Sequence, residues 1–281
     1  MTEKANLTHK DTHFAFGKNW AAYAKRISQV EIAEAVNGLR RLLGGNLLNG
    51  KRVLDIGCGS GIHSLAALKL GAREVVAADI DPQSVFTSKI LLQHHAAGSN
   101  FRVFEKSVLD LYPEDLGFFD LVYSWGVLHH TGDMYLAIRR AAQMVSTSGE
   151  FAFALYHRTW LCPIWKIEKK WYSRLSSRGQ AVVRSLYIAL HVLRLLAKGH
   201  SYRDFIHDYH RHRGMSYCHD IHDWLGGYPY ESIWPADVER LMNAIGFSRV
   251  RWFVRDWFGA NLGLFGTGCD EYVYGNNLGK R

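Results

Sequence analysis

Five prolines in 281 residues, and no tract rich in serine and glycine, leave little material for a flexible linker. The chain is therefore expected to form one large domain, or one domain carrying a sizeable insertion. Its four cysteines, at positions 58, 162, 218 and 269, lie too far apart for a zinc ribbon and suggest no disulfide framework. The polar N-terminus, MTEKANLTHKDTHF, lacks the apolar core of a secretion signal. No run approaches the ~20 apolar residues that cross a bilayer. There is no internal repeat and no low-complexity segment. These absences predict a reduced cytoplasmic protein.

Charge is present but unevenly placed. The net charge is +8, yet the first 150 residues are nearly balanced, and basic residues dominate between Arg158 and Arg213. A basic balance suits nucleic acid, an anionic membrane face or an acidic substrate. Here the excess belongs to one segment.

The hydrophobic pattern alternates short apolar runs with amphipathic stretches. Residues 28–43 repeat apolar positions at three and four and predict a helix. Val53–Ile56 reads as a buried strand, followed by a helix at His63–Leu70. EVVAADID is a second strand, PQSVFTSKILLQHHA a helix with proline in its first turn, and FRVFEKSV a third strand. FDLVYSWGV, MYLAIRRAAQMV and GEFAFALYH continue as strand, helix and strand. Strands alternating with helices imply a doubly wound parallel sheet. The regularity stops near Tyr156. It resumes with a helix at PADVERLMNAIGF and two strands, SRVRWFVRDWF and CDEYVYG, which close the sheet as an antiparallel pair. The expected organisation is an N-terminal cap (1–50), a ligand-binding core (51–156), an insertion after the fifth strand (157–233) and closing elements of the core (234–281).

The stretch VLDIGCGSGIHS, Val53 to Ser64, joins a strand to a helix through a glycine turn. A P-loop needs G-x-x-x-x-G-K-[ST], and no lysine or threonine follows these glycines, which excludes ATP or GTP there. A dinucleotide fingerprint wants its third glycine at position 62, where Ile62 stands. The glycines fall instead at Gly57, Gly59 and Gly61, behind Asp55. A carboxylate there repels a pyrophosphate and suits an amine. Asp79 ends the second strand, where an acidic side chain accepts both hydroxyls of a ribose. The implied ligand has a ribose, a positive amine and no phosphate.

Val53–Gly61 with Asp79 resembles the binding motifs of class I S-adenosylmethionine-dependent methyltransferases, over roughly residues 50–156. The resemblance implies a Rossmann-like, mostly parallel seven-stranded sheet with an antiparallel last strand. It implies that Gly57, Cys58, Gly59 and Gly61 face the methionyl part, and that Asp55 holds the amino group directly or through water. Asp79 and Ile80 would meet the ribose, and Ser107, Val108 and Leu109 the adenine. Ser124 and Trp125, after the fourth strand, would lie near the transferable methyl. Phe16 and Trp20, in the aromatic segment FAFGKNW, would fold over the cofactor, since aromatic faces attract a sulfonium; a hydrophobic staple on the core is the equal alternative.

The acceptor site is expected from His129, Tyr156, Arg211, Arg213, Tyr228 and Tyr230, with the two arginines gripping an acidic or hydroxylated group. His130 is the leading candidate base for a hydroxyl nucleophile, with the histidines of 207–222 behind it; a structural histidine bonded to a backbone carbonyl is the alternative. His207, His210 and His212, or His219 and His222, have metal-ligand spacing, but a polar pocket wall is the expected role, with no metal. Val182–Lys198 reads as an apolar helix, paired in a hairpin with IWKIEKKWYSRL. Internal packing or a homodimer contact is expected there ahead of peripheral membrane contact. The expected reaction is methyl transfer from S-adenosylmethionine, leaving S-adenosylhomocysteine, to oxygen of a small-molecule metabolite, sugar or quinone-like acceptor. The alternative is a tRNA or protein methyltransferase docking through the basic insertion. Nucleic acid is not the favoured partner, because YSWG stands where nucleic-acid N-methylating enzymes often carry D/N-P-P-Y/F.

Overall fold

The computed structural model describes residues 7–8, 12–14, 16–45, 47–213, 217–254 and 268–277, without the side chains of 208, 210–213 and 219. Helices α1 (Phe16–Ala24) and α2 (Gln29–Leu42) precede strand β1 (Arg52–Ile56). Ser28 starts α2 with a capping box: its hydroxyl accepts from the Val30 N–H, and the Glu31 carboxylate accepts from the Ser28 N–H at 2.8 Å. Then follow α3 (Ile62–Lys69), β2 (Glu74–Asp79), α4 (Pro82–His95), β3 (Phe101–Glu105), α5 (Pro113–Leu116), β4 (Phe119–Trp125), α6 (Met134–Gln143) and β5 (Val145–Tyr156). Asp81 caps α4 and Pro82 occupies its first turn.

The seven strands lie in the order β3-β2-β1-β4-β5-β7-β6, where β6 is Phe247–Phe253 and β7 is Cys269–Asn276. Neighbours from β3 to β5 pair in parallel, while β7 runs antiparallel to both β5 and β6. The closing pair expected from the sequence is thus one reversed strand inserted between two of common direction. Helix α11 (Pro235–Ala244) packs on β6 through the core. Phe119, Phe151, Phe153, Tyr272 and Tyr274 fill one face of the sheet, and Leu39, Leu70, Val75 and Leu121 the other. Strand order reverses between β1 and β4, so a crevice opens there at the carboxyl ends.

The insertion leaves β5 at His157 and returns at Ile233, where the two residues form a bridge. Between them stand α7 (Cys162–Tyr172), α8 (Ser177–Ala197), α9 (Tyr202–Arg213) and α10 (Tyr217–Gly226). Tyr172, Tyr217, Ile221 and Leu225 form their common core. Helices α7 and α8 both pack on α10, where the sequence suggested a two-helix hairpin. Lys169 holds α7 to α10: its ammonium donates to the Trp224 carbonyl and lies 3.6 Å from the Trp224 ring centroid. Helix α8 is 21 residues long, with mean hydropathy 1.3 over its most apolar window, and by length and composition it could cross a membrane. Three arginines and a histidine interrupt its letters, so no uninterrupted run marks it.

Candidate active site

The glycine turn conforms to the sequence expectation for a physical reason. Gly57, Gly59 and Gly61 all have positive φ, at 75°, 55° and 83°. Space makes the same demand: a Cβ on Gly57 would lie 2.3 Å from the Val127 side chain, and one on Gly59 would lie 3.0 Å from the Trp20 ring. The turn therefore holds its backbone toward a cavity of about 1870 Å³, with Trp20 lying over it.

Two carboxylates hold the turn's geometry. Asp79 accepts from the Gly59 N–H at 3.0 Å and from the Asp81 N–H at 2.9 Å. Asp55 accepts from the Ser64 hydroxyl at 2.5 Å. Burial pushes Asp79 up to about 6 and Asp55 up to about 7, and the charge of Asp79 adds to the rise at Asp55. A positively charged ligand beside them would stabilise the ionised forms. The residues fit the cofactor the motif implies: a turn backbone and the Asp79 carboxylate line one cavity, and the buried Asp55 carboxyl lies beneath the turn.

Phe16, Trp20, Gly57, Cys58, Gly59, Asp79, Ile80, Ser107, Val108 and Trp125 line that cavity, as do His130 and Tyr156. Other expected residues sit elsewhere. The Ser124 hydroxyl turns inward and donates to the Ile56 carbonyl at 3.1 Å, because alternate strand residues face opposite sides. Leu109 packs against the core under β3, with its N–H bonded to the Ser107 hydroxyl. Gly61 begins α3 and packs on Ser88, and Asp55 lies beneath the turn, bonded to α3.

The acceptor expectations divide in the same way. Residues 128–130 form a tight 3-10 turn, in which the His129 and His130 rings stay in edge contact with centroids 4.4 Å apart. His130 lines the cavity, and His129 lies behind Tyr156, with ring centroids 3.9 Å apart. Tyr230 is buried and donates to the Cys162 sulfur at 3.4 Å, and Tyr228 is buried with its carbonyl accepting from the Phe14 N–H at 2.9 Å. These three build the wall's support and not its surface. The Arg211 and Arg213 side chains, with those of His210, His212 and His219, fall outside the described residues. His222 pairs its Nδ1 with the Tyr172 hydroxyl at 2.8 Å, a structural contact inside the insertion. Among the described residues no group of three or more histidine, cysteine, aspartate or glutamate side chains has metal-binding geometry.

His130 Nδ1 lies 2.7 Å from the Pro229 carbonyl oxygen, so this nitrogen carries the hydrogen and donates. Burial pushes the imidazole down to about 3. It is neutral at physiological pH and weakly basic.

The structure also contributes residues the sequence reading missed. Asp81 accepts from the Gly17 N–H at 3.1 Å while capping α4, and so ties α1 to the ribose end of the cavity. Glu271 accepts from Trp125 Nε1 at 3.0 Å and pairs with Arg41 at 2.5 Å. Asp223 and Trp224 of α10 line the same cavity as His130. Among the described residues Asp223 Oδ1 is buried without a hydrogen-bond partner, Asn19 bonds the carboxyl, and burial pushes it well above the usual range. Only the Asp81 role had a sequence signal, the Asp-Pro pair that opens α4.

Comparison with known proteins agrees with this geometry. Residues 37–116 match the family described as ribosomal protein L11 methyltransferase (PrmA). Over 160 residues, 57% of the chain and 58% of the relative, the sequence is 35% identical to ubiquinone biosynthesis O-methyltransferase of Xanthomonas campestris pv. campestris (strain B100). The match thus spans well under two thirds of that relative's length. In fold, the chain resembles magnesium protoporphyrin IX methyltransferase (ChlM) from Synechocystis PCC 6803 with bound SAH. The TM-score is 0.52 at 16% identity, covering 88% of this chain and 84% of that one. A S-adenosylmethionine-dependent methyltransferase from Mesorhizobium loti gives a TM-score of 0.51 at 17% identity, covering 85% and 96%. In strand order, glycine turn and matched sequence, the chain is thus similar to class I S-adenosylmethionine-dependent methyltransferases over the part that each match covers.

Proposed function

We propose that this chain transfers a methyl group from S-adenosylmethionine to a small-molecule acceptor, with an oxygen of a metabolite, sugar or quinone-like compound as nucleophile. The observation that carries the reading is the continuity of one cavity. It runs from the glycine turn and Asp79, past Val127 and His130, to Tyr187, His191, Tyr217 and Asp220 of the insertion. A volume of about 1870 Å³ exceeds the ~300–1,000 Å³ of an ordinary ligand pocket, which suits two molecules end to end. The O-methyltransferase relative supports oxygen as the nucleophile.

When bound, S-adenosylmethionine supplies a methyl group on a positively charged sulfur, a good leaving group that needs no acid. The chain's residues hold it: Asp79 accepts the ribose hydroxyls, the Asp55 corner favours the positive end, and Trp20 closes over the turn. Positioning then carries much of the rate. Where the nucleophile is a hydroxyl, a base must take its proton. His130 was the sequence candidate, but an imidazole held near 3 accepts a proton poorly at neutral pH. We assign the proton instead to Asp223, whose carboxyl burial raises well above the usual range, making it a stronger base than the His130 imidazole. His130 orients the acceptor.

A methyl-transfer screen over phenolic, sugar and carboxylate acceptors tests the reading, with S-adenosylhomocysteine release as the readout. Turnover by Asp223→Asn should fall ~10²-fold or more with S-adenosylhomocysteine affinity unchanged. His130→Ala should mainly raise KM. Methylation of tRNA or protein alone, with every small acceptor untouched, would refute the proposal; full turnover by Asp223→Asn would move the base elsewhere.

A further inference from the structure

Helix α8 has two faces of different character. Val183, Tyr187 and Ile188 pack into the insertion's core, and Arg184, His191 and Arg194 lie on the half-buried side. The opposite side presents Val182, Leu186, Leu190, Leu193 and Leu196 to solvent, with Leu193 62% exposed. Their spacing of four and three residues makes one continuous row along a helix roughly 30 Å long. Outside its first turn, this row carries no charge. Helix α7 repeats the arrangement with Ile164, Ile167 and Trp171, preceded by Trp160; Ile167 is 71% and Trp160 79% exposed. Folded monomers seldom leave such rows uncovered without an interaction to serve.

The charge around these rows identifies what covers them. From Arg158 to Arg203 the only acidic residue is Glu168, against ten lysines and arginines. Lys166, Arg174, Arg178 and Lys198 are exposed beside the apolar positions. A second copy docking the same face would set this positive segment against itself, because a two-fold interface repeats each patch on both partners. A surface with negative charge over an apolar interior satisfies both features at once. Only the leucine side of α8 is uncovered, and the other side is packed in the insertion's core, so the helix lies in the interface and does not span it. Trp160 and Trp171 suit the headgroup level.

We propose that α7 and α8 dock the protein peripherally on an anionic lipid bilayer. The insertion forms one end of the acceptor cavity, so docking brings that end to the membrane surface.

Co-sedimentation with vesicles tests this directly, using phosphatidylcholine alone and phosphatidylcholine mixed with phosphatidylglycerol. The full chain should bind the anionic vesicles at low salt, roughly tenfold or more tighter than neutral ones, and release at high salt. The variant L186E/L190E/L193E should lose vesicle binding by roughly tenfold or more. The variant K166E/R174E/R178E should lose the preference for anionic lipid. Far-UV circular dichroism checks that each variant is folded. S-adenosylhomocysteine affinity is measured separately, so a failure of the cofactor reading is distinguishable from a failure here. Absence of binding to either vesicle overturns the proposal. So does a full chain that is dimeric in solution, bound to neither vesicle, and converted to monomer by L186E/L190E/L193E.

Discussion

Asp79→Ala isolates the ribose assignment. Each hydrogen bond to a charged partner contributes ~1.5–3 kcal/mol, and two ribose hydroxyls would be lost, so the cost is ~3–6 kcal/mol. That converts to a ~10²–10⁴-fold weaker dissociation constant for S-adenosylhomocysteine. The carboxylate also holds the Gly59 and Asp81 N–H groups, so Asp79→Asn is the gentler partner: its carbonyl still accepts, and its loss should be smaller. Titration calorimetry across pH adds a second signature. Burial holds the Asp79 carboxyl near 6, so the ligand-free protein protonates it below that value. Because the hydroxyls need the ionised form, wild-type affinity should fall as pH drops through about 6, whereas that of Asp79→Asn should stay level. An Asp79→Ala protein that binds within twofold of wild type would refute the reasoning, whatever its turnover.

Two further substitutions test the turn. Gly57→Ala combines positive φ with a Cβ placed 2.3 Å from Val127, and should lose S-adenosylhomocysteine binding as well as stability. Gly45→Ala, where φ is 84° but nothing lies within 4 Å of the added Cβ, should lose only ~1 kcal/mol of stability; equal thermal shifts in the two variants would contradict the packing account. Asp55→Asn should weaken S-adenosylhomocysteine binding yet raise the Tm of the ligand-free protein by a few degrees at pH 8. The wild-type carboxyl, near 7 when folded and near ~4 when unfolded, becomes destabilising as pH rises through that window. The gain should vanish at pH 4 in scanning fluorimetry, and a gain of the same size there would show that charge is not its source.

How much was legible depended on whether the signal was local. The capping box at Ser28 and Glu31, the Asp81-Pro82 opening of α4 and the glycines between β1 and α3 each impose backbone conformations within a few residues, so letters suffice. Strand faces were harder. Ser124 sits in an apolar strand where both faces are buried, and alternation gave no hint that its hydroxyl turns to Ile56. His129 and His130 are adjacent identical letters, and only the 3-10 turn separates the cavity wall from its support.

By itself, the sequence determined the alternating framework, the ligand chemistry at the carboxyl edge, and the fact that residues 157–233 break the βα pattern. Each is written in periodicity or in residue chemistry at fixed spacing. Tertiary structure alone decided that β7 inserts between β5 and β6, that Asp223 from α10 lines the same cavity as His130, and that Asp81 anchors α1. It also decided which side of α8 meets solvent. An amphipathic pattern says that a helix has two faces, but whether the apolar one is covered depends on packing partners distant in sequence. Here α10 takes the side bearing Tyr187 and Ile188 and leaves the leucine row outward.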